Sequence, residues 1–90
     1  MSHLTKDKPK LLARVRRLKG QIEAIERAIE AEKDCGAILQ LVASVRGATA
    51  GLTQELIEDH LRHHVILVED ETGREQGGAE LASVLRTYLK

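Results

Sequence analysis

Residues 35–67 read CGAILQLVASVRGATAGLTQELIEDHLRHHVIL. Ile38, Val42, Val45, Thr49, Leu52 and Leu56 recur at alternating spacings of four and three. Leu39, Leu41 and Ile57 widen the same side. Such a heptad-like face specifies a helix that packs against other helices. Asp34 stands where a cap belongs, so the helix is predicted to begin near Cys35 or Gly36 and to reach about Leu67. Some 30 residues at about 1.5 Å each give a rod about 45 Å long. Its centre, Gly47-Ala48-Thr49-Ala50-Gly51, is poor in helix propensity. Small side chains there suit two helix backbones that approach closely.

The flanking segments extend the pattern. Upstream, Leu11, Val15, Leu18, Ile22, Ile25 and Ile29 form a second heptad stripe, predicting a helix over about 5–31. Thr5 is its expected N-cap, with Asp7 and Pro9 in the first turn. Gly20 is expected to admit a neighbouring helix. Downstream, 69–78 is polar with Gly73, Gly77 and Gly78, and reads as a loop. Residues 79–89 read as a short third helix with Leu81, Val84, Leu85 and Tyr88 on one face. The fold class is therefore all-α, three helices in one domain.

Composition agrees. The 90 residues contain no Trp or Phe and one Tyr, so the core rests on 13 Leu, 6 Ile, 6 Val and 10 Ala. A short chain with so little aromatic mass is expected to complete its core by oligomerising. The lone Cys35 rules out a disulfide within the chain and fits a reducing cytoplasm. No apolar run approaches the roughly 20 residues that span a bilayer, and no signal peptide opens the chain. No nucleophile–base motif or carboxylate pair in an apolar setting points to an enzyme.

Net charge is zero, yet residues 1–19 carry seven basic side chains and one acid, while 20–78 carry five and twelve. A basic arm precedes an acidic body, a distribution that attracts nucleic acid. On a helical wheel Lys6, Lys10, Arg14 and Arg17 fall on one flank of the apolar stripe, and Lys8, Arg16 and Lys19 on the other. No helix-turn-helix signature is present, so duplex DNA would be met by a helical face.

The candidate metal ligands are His3, Cys35, His60, His63 and His64. His60 and His64, four apart, share a helix face. Cys35 and His60 stand 25 residues apart on one helix, about 37 Å, and cannot meet within a chain unless that helix breaks. Two antiparallel copies bring them together if the two-fold axis lies near residues 48–50. The small-residue patch lies at the same place. Two features thus point to one dimer, with Cys35 of one copy facing His60 and His64 of the other. His63 points away from His64 on the wheel and reads as outer-lying or solvent-facing.

Arg14-x-x-Arg17-x-x-Gly20-Gln21, Cys35 at the head of the second helix, Arg46-Gly47-Ala48 at its centre, and His60 with His64 near its end together resemble the CsoR/RcnR family. The resemblance covers essentially residues 1–90. It implies a bacterial repressor, an antiparallel four-helix-bundle dimer assembling as a dimer of dimers. It also implies operator DNA held by Lys10, Arg14, Arg16, Arg17 and Lys19. The copper sensors carry Cys-His-Cys, and the third position here is His64. The persulfide sensors need a second Cys, absent here. The formaldehyde sensors match at Cys35 and His60, but typically have Pro at position 2 and Glu at position 64, where this chain has Ser2 and His64. The nickel/cobalt sensors match at His3, Cys35, His60 and His64, and tend to carry an acid where this chain has His63. One thiolate with several imidazoles suits borderline ions such as Ni(II) and Co(II), with Zn(II) also open. The resemblance implies release of DNA and derepression of an efflux gene on metal binding, with His3 recruited to the site and the basic helix reoriented. The alternative is a formaldehyde-responsive repressor using Cys35 and the N-terminal amine.

Overall fold

A computed structural model describes residues 7–90. The predicted Thr5 cap, Lys6 and His3 lie outside the described residues. Three α-helices follow one another: α1 Lys8–Glu30, α2 Cys35–Leu61 and α3 Glu71–Tyr88. A π-helical turn, Arg62–Ile66, continues α2. The chain is all-α over the described residues. It clusters into two compact units, one ending at Thr53 and the other beginning at Gln54.

In the first unit, Asp7 occupies the N-cap position of α1 without a side-chain cap bond, and Pro9 lies in the first turn, where a missing N–H costs little. The helix ends in a Schellman motif: Lys33 N–H donates to the Ala28 carbonyl and Glu32 N–H to that of Ile29, each at 3.0 Å. Glu32 takes the left-handed conformation the motif requires, with φ 52° and without the glycine that usually fills it. Asp34 caps α2 as the sequence predicts, its Oδ2 accepting from Ala37 N–H at 3.2 Å.

The α1 stripe divides into two heptad rows. Leu11 is buried, and Leu18 and Ile25 are half-buried. Val15, Ile22 and Ile29 remain 44%, 52% and 57% exposed. On α2, Leu39, Val42 and Leu56 are exposed too, and no α2 residue is fully buried. The chain alone covers one row and leaves the other open. By length and composition the helical stretch Cys35–Ile66 is apolar enough to cross a membrane, which corrects the expectation that no run approaches that length. The single chain buries none of the apolar window in this stretch.

The second unit corrects the sequence reading. The expected loop over 69–78 is mostly helix, and α3 starts at Glu71, not Ala79. Asp70 is its cap, with extended backbone and a carboxylate accepting from Gly73 N–H at 2.6 Å. Arg74 closes the short connection, its guanidinium donating to the carbonyls of Val68 at 3.1 Å and Glu69 at 2.6 Å. One of the α3 glycines serves helix packing. Gly77 is buried, and a Cβ there would overlap the His64 carbonyl. The α2 pattern does run on towards Leu67, but Leu67 N–H donates to the Arg62 carbonyl at 2.9 Å, the wider i to i+5 closure of a π turn.

Candidate functional site

Two sets of side chains carry chemistry, one in each unit. On α1, Lys10, Arg14, Arg16, Arg17 and Lys19 are all exposed. Arg14 has a further relation that the sequence did not suggest. A Cβ built on Gly51 would stand 3.2 Å from Arg14 Nη1, so the bare backbone of α2 there accommodates the guanidinium. The glycine predicted to serve helix–helix approach makes room for a basic side chain. Among the described residues, nothing beyond its own helical turn comes within 4 Å of where a Cβ would stand on Gly20 or Gly47, so they do not supply the neighbour expected at Gly20.

In the second unit, His60 lies in the last turn of α2 and His64 in the π turn. Their rings stack, with centroids 4.6 Å apart and planes 27° from parallel. His60 Nε2 lies 3.0 Å from the Gly77 carbonyl oxygen of α3. A carbonyl only accepts, so Nε2–H donates. In the neutral ring the lone pair is then on Nδ1. A histidine that gives its distal N–H to a backbone carbonyl is oriented as metal-binding imidazoles commonly are. His63 is half-buried in the same turn. Next to His60, Asp59 keeps Oδ2 buried without a hydrogen-bond partner.

Cys35 is a free, exposed thiol at the first position of α2. It opens the helix that His60 nearly closes. Among the described residues no three of His, Cys, Asp or Glu are gathered as a metal site. The structure thus brings His60 and His64 together, and His3 lies outside the described residues. The donors are nonetheless of one kind, a thiol and imidazoles, and they fit a borderline divalent ion better than Mg(II) or Ca(II). Gly77 was missed by the sequence reading, which took its stretch for a loop. The signal was available in Asp70-x-x-Gly73, a cap with an acid beside it in the first turn.

Residues 7–87 match the family model described as a metal-sensitive transcriptional repressor. The chain belongs to that family. Among its relatives is an uncharacterised protein from the bioA 5′ region of Serratia marcescens, 50% identical with both chains covered in full. The transcriptional repressor RcnR of Citrobacter koseri is 39% identical, again over the whole of both chains. Among solved structures, a Glu-to-His variant of the formaldehyde-responsive regulator FrmR from Salmonella enterica serovar Typhimurium is 44% identical. It superposes with a TM-score of 0.87, covering 97% of this chain and 99% of that one. The copper-sensing repressor CsoR with Cu(I) from Geobacillus thermodenitrificans has a TM-score of 0.90 at 23% identity, covering 100% and 94%, and shares the fold. As a member of this family, the chain is a metal-sensitive transcriptional repressor.

Proposed function

We propose that this repressor, one domain over residues 1–90, holds operator DNA when effector-free and releases it on binding Ni(II) or Co(II). Release derepresses an efflux gene. Cys35 of one copy and His60 and His64 of a second supply the effector ligands, and His3 joins them from the N-terminal segment. The observation that carries the reading is the histidine pair itself. The rings of His60 and His64 stack, and His60 gives its Nε2–H to the Gly77 carbonyl, which leaves the lone pair of the neutral ring on Nδ1. The RcnR relatives at 39% identity over the whole chain support the nickel/cobalt assignment. Zn(II) shares the donor preferences and is the competing ion.

The open heptad row supports an antiparallel dimer. Val15, Ile22 and Ile29 on α1 and Leu39 and Val42 on α2 are apolar and exposed in the single chain. A second copy packed on them completes a four-helix bundle, and two such dimers form the tetramer. DNA is held by Lys10, Arg14, Arg16, Arg17 and Lys19, all of them exposed. Bound metal supplies charge and fixed geometry to the donor set, and the residues on α1 answer by losing their match to the phosphates. Linkage requires DNA to weaken effector binding by the factor by which effector weakens DNA binding.

Co(II) absorbance tests the assignment. A thiolate charge-transfer band that disappears in Cys35→Ala supports it. Ni(II)- and Co(II)-insensitive DNA binding contradicts it. His3→Ala tests the N-terminal ligand: unchanged metal-dependent release removes His3 from the set. A second reading has its own support. The FrmR variant at 44% identity belongs to a formaldehyde-responsive regulator, and Cys35 is exposed for attack on an aldehyde. Release by formaldehyde together with a mass adduct on Cys35, and no release by metal, establishes that reading.

A further inference from the structure

Two interactions converge on one α3 residue. The Gly77 carbonyl accepts from His60 Nε2–H. The missing Gly77 side chain lets α3 lie directly against the His64 carbonyl, where any Cβ would overlap it. Both histidines belong to the π-closed end of α2, and Asp70 and Arg74 pin the start of α3 to the same connection.

We propose that Gly77 is the positioning residue of the histidine pair: its carbonyl holds His60 with Nδ1 as the donor nitrogen, and its bare Cα couples α3 to His64. The inference rests on the reading of His60 and His64 as effector ligands. A ligating nitrogen directs its lone pair in the plane of its ring. Two rings stacked 27° from parallel do not present two lone pairs to one point at a metal–nitrogen distance of about 2.0–2.1 Å. For both rings to hold one ion, one of them would have to turn. His60 is anchored to Gly77, so the turn falls on His64, whose carbonyl bears on Gly77. Effector binding therefore works on α3 through an approach only glycine permits. The π turn supplies the backbone latitude, as single π turns at functional sites commonly do.

The test uses the full-length, effector-free protein, with imidazole nitrogens read by NMR. Wild-type His60 is expected as the Nε2–H form, in at least tenfold greater excess over Nδ1–H than in an unstructured histidine peptide. Gly77→Ala is expected to return the ratio to the peptide's value. A His60 in the Nδ1–H form overturns the proposal, as does an unchanged ratio in a folded Gly77→Ala protein. If Gly77→Ala does not fold, which circular dichroism reads directly, His60→Gln and His60→Asn carry the test. Gln keeps an amide donor at the ε position, whereas Asn has none. Hydrogen exchange of α3 amides is expected to be at least tenfold slower in His60→Gln than in His60→Asn. Equal exchange overturns the coupling. None of these readouts uses metal or DNA. A protein that fails to answer Ni(II) and Co(II) yet shows the Nε2–H excess refutes the proposed function alone. One that releases DNA on metal with the opposite tautomer refutes the proposal alone.

Discussion

Single residues decide both chemistry and local stability. Cys35 and His64 illustrate the first. Each is predicted to be required for release and dispensable for holding DNA, since neither belongs to the basic face of α1. Cys35→Ala and His64→Ala should bind operator DNA within about threefold of wild type by anisotropy, and the bound fraction should not respond to Ni(II). Glu32 illustrates the second. It adopts φ 52° in the Schellman turn, a conformation that costs an L-residue about 1–2 kcal/mol. Glu32→Gly removes that cost and adds back some unfolded-state entropy. The net expectation is about 0.5–1 kcal/mol of stabilisation, read as a rise of several degrees in Tm at fixed protein concentration. Cys35, His60 and His64 were legible in the sequence as candidate donors, because thiol and imidazole chemistry does not depend on the fold. The His60–Gly77 bond was not legible, because a backbone carbonyl has no residue code.

At the scale of elements, α1 and α2 were readable and α3 was misjudged at its start. Long heptad stripes over-determine a helix, and Asp34 announced the second one. In α3 the glycines of Thr72-Gly73 and Gly77-Gly78 suggested loop chemistry by propensity alone. Packing against the π turn overrode that propensity, since Gly77 is where α3 and the His64 backbone approach. The π turn was also hidden: a heptad pattern carries no mark for one wider turn. Asp70 holds the start of α3, where the sequence suggested only loop. Asp70→Ala should cost about 1 kcal/mol, seen as faster hydrogen exchange in the first turn of α3 while α1 exchange is unchanged. The basic face of α1 gives a different signature. Arg16→Ala, Arg17→Ala and Lys19→Ala each remove one cation from the proposed DNA-binding face. Each should lower the slope of log affinity against log salt by about one, uniformly across DNA sequences.

At the scale of the whole molecule, the single chain is unfinished. Leu11 and Ala28 are its only buried apolar residues among those described. Covering Val15, Ile22 and Ile29 on association contributes about 1 kcal/mol each, given their half-exposed state and the cost of exposing a large aliphatic chain. Ile22→Glu should therefore dissociate the assembly, with sedimentation showing a smaller species at micromolar protein and far-UV helicity falling in parallel. The proposed intersubunit site makes a sharper prediction. Cys35→Ala and His64→Ala proteins, each without the Co(II) thiolate band, should regain about a quarter of the wild-type band when mixed in equal amounts and allowed to exchange subunits, because half of the dimers are then mixed and each mixed dimer restores one of its two sites. The most direct measurement of effector identity is DNA release by the effector-free protein, titrated in parallel with Ni(II), Co(II), Zn(II), Cu(I) and formaldehyde. Ni(II) or Co(II) should lower DNA affinity at least tenfold, and His64→Ala should abolish that response. Release by formaldehyde alone, with every metal silent, would contradict a metal-responsive repressor built on Cys35, His60 and His64.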